Sequence, residues 1–204
     1  MKTGSIVRHV VPSTVLDCWI QEPQPFNAKY YSHKQNHAGL RYEIVIGLGS
    51  SKIVWFSGGH PCGEFSDLAL ARSGFTDILE DGEQALADKG YRDGRQYFLT
   101  PYTTPNTGWE LNFNVQHKKV MARSESVNKR IQQFNILGNF RHSEEKHYTC
   151  FAAIINTTQL DPVENPLWSG KSSLEHYLEL KYTKKNKQIK VFFDEKRKFI
   201  SFIA

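Results

Sequence analysis

The sequence predicts a mixed α/β domain, a sheet layered against helices, and three observations carry that reading. β-Branched and aromatic runs at 41–48 and 52–57 flank Gly49-Ser50-Ser51, the pattern of a β-hairpin. From about 114 to 137 there is no Gly or Pro, and Val120, Val127, Ile131 and Phe134 recur at helical spacing. Short apolar runs also precede this segment and alternate with helical ones, which favours a layered mixed sheet.

Each element has its own local justification. Residues 9–20 contain apolar runs that predict a strand, with Pro12 making its first half an edge or a lead-in. Glu22-Pro23-Gln24-Pro25 breaks that pattern. After the hairpin, Gly58-Gly59-His60-Pro61-Cys62-Gly63 reads as a loop. Residues 65–72 form a short helix with Ser66 or Asp67 near its start. Residues 84–87 and 97–100 are two further short strands, the second stopped by Pro101, and 105–108 is turn chemistry. The long helix covers 114–137 and ends at Gly138. A last helix runs from 143 to about 160, with Glu144 and Glu145 in its first turn and Pro162 and Pro166 closing the domain.

Composition narrows the class. With 204 residues, 39% hydrophobic and 13% aromatic, the chain can bury a core and is not a disordered segment. No apolar stretch approaches the length of a membrane span, and residues 1–11 lack the apolar region of a secretory signal. Cys18, Cys62 and Cys150 are odd in number and widely spaced, which fits a reducing compartment rather than a disulfide framework. The net charge of +5 is not spread evenly. Residues 171–204 hold 9 Lys+Arg and 4 Asp+Glu; subtracting these from the totals of 26 and 21 leaves 17 of each sign elsewhere. Overall basicity therefore says little about the body, and local patches must carry any nucleic-acid argument.

Phosphodiester chemistry by two metal ions needs hard oxygen ligands on rigid elements from different parts of the chain. Asp17 in the first strand, Asp88 at the end of the fourth and Glu125 in the long helix stand at such places. Each has an ordinary alternative. Asp88 before Lys89-Gly90 suits a turn, Glu125 with Lys129 suits a surface ion pair, and Asp17 suits an edge-strand charge.

Four stretches, in order, resemble the DDE-superfamily endonuclease domain of PIF/Harbinger-type transposases. They are Tyr30-Tyr31-Ser32-His33-Lys34 running into Gly39-Leu40-Arg41-Tyr42-Glu43; Ile53-Val54-Trp55 to Gly63 with Ser66-Asp67-Leu68; Leu86-Ala87-Asp88-Lys89-Gly90-Tyr91; and Arg123-Ser124-Glu125-Ser126-Val127-Asn128 through Phe134 to Phe140-Arg141-His142 and His147. The resemblance covers roughly 12–168, with 1–11 as a lead-in and 169–204 as a basic tail. It implies an RNase H-like mixed sheet flanked by helices and a nuclease that cuts and joins DNA at transposon ends. It also implies a triad of Asp17, Asp88 and Glu125 holding Mg²⁺ or Mn²⁺, with Asp67 as an auxiliary ligand. The first-strand match is open between Asp17 and a lost position near Thr14, because the family's Asp-Gly-Thr is replaced by Asp17-Cys18-Trp19. In the second case the chain is a non-catalytic DNA- or protein-binding remnant.

The resemblance further implies DNA as partner, a homodimer or a separate DNA-binding helper subunit, a nuclear location, and truncation of the upstream DNA-binding region. Lys34, Arg41, Arg123 and Arg130 are the candidates for tracking a DNA backbone, with ordinary solvated charge as the alternative. His142 and His147 are five apart and line or cap the last helix, whereas His33 and His37 belong to a loop. Gly58-Gly59 and Gly63 make no phosphate loop, because no Gly-Lys-Ser/Thr follows.

Overall fold

The structure is a computed structural model that describes residues 10–47, 52–80 and 83–164. The basic tail lies outside these residues. Strand β1 spans Val10–Trp19, β2 Tyr31–Ser32, β3 His37–Ile46, β4 Ile53–Pro61, β5 Gln84–Leu86 and β6 Phe98–Leu99. Helix α1 spans Asp67–Arg72, α2 Gly108–Gln132 and α3 Glu144–Glu164. Among the described residues no helix is long and apolar enough to cross a membrane.

β1 is the hinge of the sheet. It pairs antiparallel with β3, from Ser13↔Val45 to Trp19↔Gly39, and parallel with β5, from Val10↔Gln84 to Pro12↔Leu86. β3 also pairs antiparallel with β4 and β2, and β5 pairs parallel with β6. The result is a mixed sheet flanked by helices, consistent with an RNase H-like fold. Pro12 therefore lies in a central strand, not on an edge. The antiparallel ladder to β3 begins only at the next residue, so the missing N–H of Pro12 falls outside it.

Because side chains alternate along a strand, the sheet builds a different core on each face. Leu16, Cys18, Leu40, Tyr42, Ile44 and Ile46 pack with Val127 and Ile131 of α2 and Phe151, Ile154 and Ile155 of α3. Val15 and Val45 face the other way and pack with Leu68 and Ala71 of α1, Phe75, Tyr91 and Phe98. At the centre of the first core, Tyr42 stacks on Phe151 with ring centroids 3.7 Å apart and shares a 2.7 Å hydrogen bond with His147 Nδ1.

Three elements differ from the sequence reading for identifiable reasons. β4 continues through the expected Gly-rich loop to Pro61, because Gly58 bulges the strand at φ +133° without ending its pairing. A β-carbon at Gly58 would lie 2.4 Å from the Arg41 carbonyl oxygen, so the bulge needs glycine. α2 starts six residues before 114, where Thr107 and Glu110 form a reciprocal capping box. It ends at Gln132 because Phe134 turns to extended backbone and packs its ring against the core, and Asn135–Leu137 forms only a 3-10 turn. α3 runs past Pro162 to Glu164, since a proline so near a helix end forfeits a single backbone hydrogen bond.

Candidate functional site

The predicted acidic residues come from β1, the start of α1, the end of β5 and the middle of α2. Asp17 and its neighbours Ser13 and Val15 share the β1 face turned towards α1. Asp17 is 4% exposed, and both carboxylate oxygens are occupied. Arg41 Nε donates to Oδ1 at 2.7 Å, Arg41 Nη2 to Oδ2 at 2.8 Å, and the Ser32 hydroxyl to Oδ2 at 2.7 Å. Burial by itself would raise this carboxyl; the guanidinium and the hydroxyl outweigh it and hold the group below the usual carboxylate range.

Arg41 is the centre of a lock between elements. Its Nη1 donates to the Phe65 carbonyl oxygen at 2.7 Å and lies 3.1 Å from Asp67 Oδ1. One guanidinium thus joins β1, β3 and the entry to α1, and Ser32 adds β2. Asp67 itself is pushed up by burial, only partly countered by Arg41, with Asp88 and Asp17 adding to the rise. Arg41, a sequence candidate for DNA contact, is turned inward to these partners.

Asp88 is exposed and stands at the carboxyl end of β5. It caps the 3-10 turn Lys89–Gly94, its Oδ1 accepting from the Gly90 N–H at 2.7 Å. Asp67 and Asp88 approach one another across Gly90: a β-carbon there would lie 3.0 Å from Asp88 Oδ1 and 3.8 Å from Asp67 Oδ2. Glu125 is exposed on α2, one residue round the helix from the fully buried Ser124. α2 packs on the β1 face opposite to Asp17. Asp67 and Asp88 are therefore brought together, whereas Asp17 and Glu125 stand on opposite sides of the sheet. Lys34 is exposed in the turn before β3, and Arg123 and Arg130 are half-buried on α2.

The position on β1 that does face α2 is Thr14. Extending the β1–β5 register two residues beyond Pro12↔Leu86 sets Thr14 level with Asp88. The Asn128 side-chain amide donates to Thr14 Oγ1 at 3.0 Å. One helical turn earlier, Ser124 is fully buried on the same side of α2.

Residues 13–158 match the sequence profile of the DDE superfamily endonuclease family. The chain belongs to the DDE superfamily endonuclease family. One relative is the "Probable transposase for insertion sequence element IS702" of Microchaete diplosiphon, 26% identical over 151 residues, which are 69% of this chain and 52% of the relative. The chain spans about half the length of that relative. No solved structure matches.

DDE endonucleases generally use divalent metal ions, so the residues of this family member can be tested for fit. They do not fit such a group as arranged. Among the described residues no three His, Cys, Asp or Glu side chains stand together in a form able to hold a metal ion. Asp17 is consumed by Arg41, and Asp67 shares the same guanidinium.

Sequence reasoning missed Glu43, which is 0% exposed on β3. Ser13 Oγ donates to its Oε1 at 2.6 Å, while Oε2 is buried without a partner. Burial raises its pKa to about 7, with the Ser13 hydrogen bond opposing and the Asp67 charge reinforcing the rise. The signal was a lone acid in an otherwise apolar β-branched run, on the same alternation as Arg41. His117 was also missed. Its Nε2 is 2.9 Å from the Ala87 carbonyl oxygen, which pins α2 to the end of β5, and burial holds it below the ordinary histidine range.

Proposed function

We propose that this DDE-family chain works on DNA, as a transposase-type domain that grips the duplex backbone across the end of β5 and the middle of α2. The observation that carries the reading is the His117–Ala87 hydrogen bond. It brings a basic helix against the turn that begins at Asp88. α2 holds Lys118, Lys119, Arg123, Lys129 and Arg130 against Glu110 and Glu125. The turn and the residue after it add the exposed Lys89, Arg92 and Arg95 against the exposed Asp88 and Asp93. The basic helix, joined to a turn that carries three cations, supplies the sequence-independent electrostatic part of DNA binding. The PIF/Harbinger subtype, a nuclear location and a dimer or helper subunit belong to the same proposal and rest only on the resemblance.

The test is fluorescence anisotropy of a labelled duplex with the full chain, in EDTA, across a salt series. Affinity is expected to fall with salt. Lys89→Gln and Lys118→Gln are each expected to flatten the log–log slope by about 0.9, the value for one lost phosphate contact. No binding at the lowest salt would refute DNA as the partner. A slope unchanged by both substitutions but abolished by deleting 171–204 would move the contact to the basic tail.

A further inference from the structure

The geometry around Thr14 points to a chain that holds DNA without cutting it, because the β1 and α2 side chains that meet on the helix-covered face of the sheet, Thr14 and Asn128, carry no charge. This inference deepens the DNA-binding reading and rests on it. Three observations carry it, each independent of whether an ion is present.

The first is strand alternation. Ser13, Val15 and Asp17 share one face of β1, and Thr14, Leu16 and Cys18 the other. No side-chain rotation takes Asp17 through the sheet to the face on which α2 lies. The β1 side chain that the extended β1–β5 register sets level with Asp88 is Thr14, which carries no charge.

The second is the helix face above it. Towards Thr14, α2 presents Asn128 and, one turn earlier, the buried Ser124, neither of which carries a charge. Ser124 is 0% exposed with its hydroxyl unpartnered, and Asn128 Oδ1 is buried without a partner as well. Glu125 points about 100° away, into solvent.

The third is where the nearby acids are spent. Asp17 gives both oxygens to Arg41 and Ser32, Asp67 gives one to Arg41, and Glu43 is fully buried on the Asp17 face of the sheet, accepting from Ser13. A divalent cation near Asp88 would meet that carboxylate, the one Asp67 oxygen not held by Arg41 and, on the α2 face, only the neutral oxygens of Thr14 and Asn128. Hard divalent ions in phosphoryl-transfer sites rely on several anionic oxygens converging from rigid elements.

The experiment is a nicking assay on supercoiled plasmid in Mn²⁺, with wild type and Asp88→Asn purified in parallel. The same two proteins are titrated with Mn²⁺ by calorimetry on duplex DNA. Equal nicking by both proteins, at background, and no Asp88-dependent Mn²⁺ heat are expected. Nicking or Mn²⁺ binding that Asp88→Asn abolishes would overturn the inference. The Thr14→Asp/Ser124→Glu double variant supplies the converse arm. Where it folds, its melting temperature is expected to rise with Mn²⁺, while that of wild type does not. A folded double variant blind to Mn²⁺ would overturn the assignment of these two positions; if it fails to fold, the wild-type arms still decide. Because DNA affinity is read in EDTA, loss of DNA binding would strike the functional reading and leave the result on cutting separate.

Discussion

Replacing Glu43 by Gln tests whether a buried acid makes this fold more stable when protonated. Its folded pKa of about 7 stands above the ordinary glutamate value of 4.5. The folded protein therefore binds the proton more tightly than the unfolded chain. The stabilisation is complete below pH 4.5 and is lost as pH rises through about 7. At about 1.4 kcal/mol for each tenfold difference in proton affinity, the loss amounts to about 3 kcal/mol by about pH 8. The wild-type profile alone cannot display it, because His147 works in the opposite sense. Burial lowers His147 from 6.5 to about 4, so its contribution is present above 6.5 and lost as pH falls towards 4. The quantity to read is the difference between Glu43→Gln and wild type, in which His147 cancels. The amide keeps the shape and can still accept from Ser13 while carrying no charge. Urea denaturation followed by tryptophan fluorescence at intervals from about pH 5 to 8 gives both stabilities. The variant should gain on wild type by about 2.5 kcal/mol between about pH 5 and 8, the part of the loss that falls inside that range. A difference that stays constant with pH would refute the argument, and with it the idea that the Oε2 side of Glu43 is dry.

Two further outcomes follow from the same structure. Arg41→Met leaves Asp17 buried without its cation and should cost roughly 3–5 kcal/mol, most of it recovered in Asp17→Asn/Arg41→Met; a loss under about 1 kcal/mol in the single variant would mean that water reaches Asp17. Thr107→Ala removes one half of the capping box of α2 and should cost about 1 kcal/mol in a denaturation midpoint measurement, whereas no change would place the start of the helix further along the chain.

Legibility differed by residue for physical reasons. The hairpin, α1 and the hydrophobic stripe of α2 were readable because each rests on local periodicity or capping, as Ser66 shows by accepting from the Ala69 N–H. The strand extension through Gly58 was not, since glycine signals a loop and a bulge equally well until pairing with β3 decides. Asp17 was found as a candidate, yet its partner Arg41 lies 24 residues away and was assigned to DNA. Nothing local links the two; only the antiparallel register Asp17↔Arg41 does so.

By itself the sequence determined the alternation of strands and helices, the family, and the absence of a strong basic bias in the body, because these depend on composition and on patterns within a few residues. The tertiary structure decided which carboxylates are available. Asp17 and Glu125 stand on opposite faces of one sheet, and Asp17 faces a buried guanidinium. The sequence left the first-strand position open between Asp17 and Thr14; the parallel register of β1 and β5, extended two residues, sets Thr14 level with Asp88, and Asn128 of α2 bonds it. Such assignments depend on strand register and on which face a helix covers, and a one-residue slip in register would exchange every one of them.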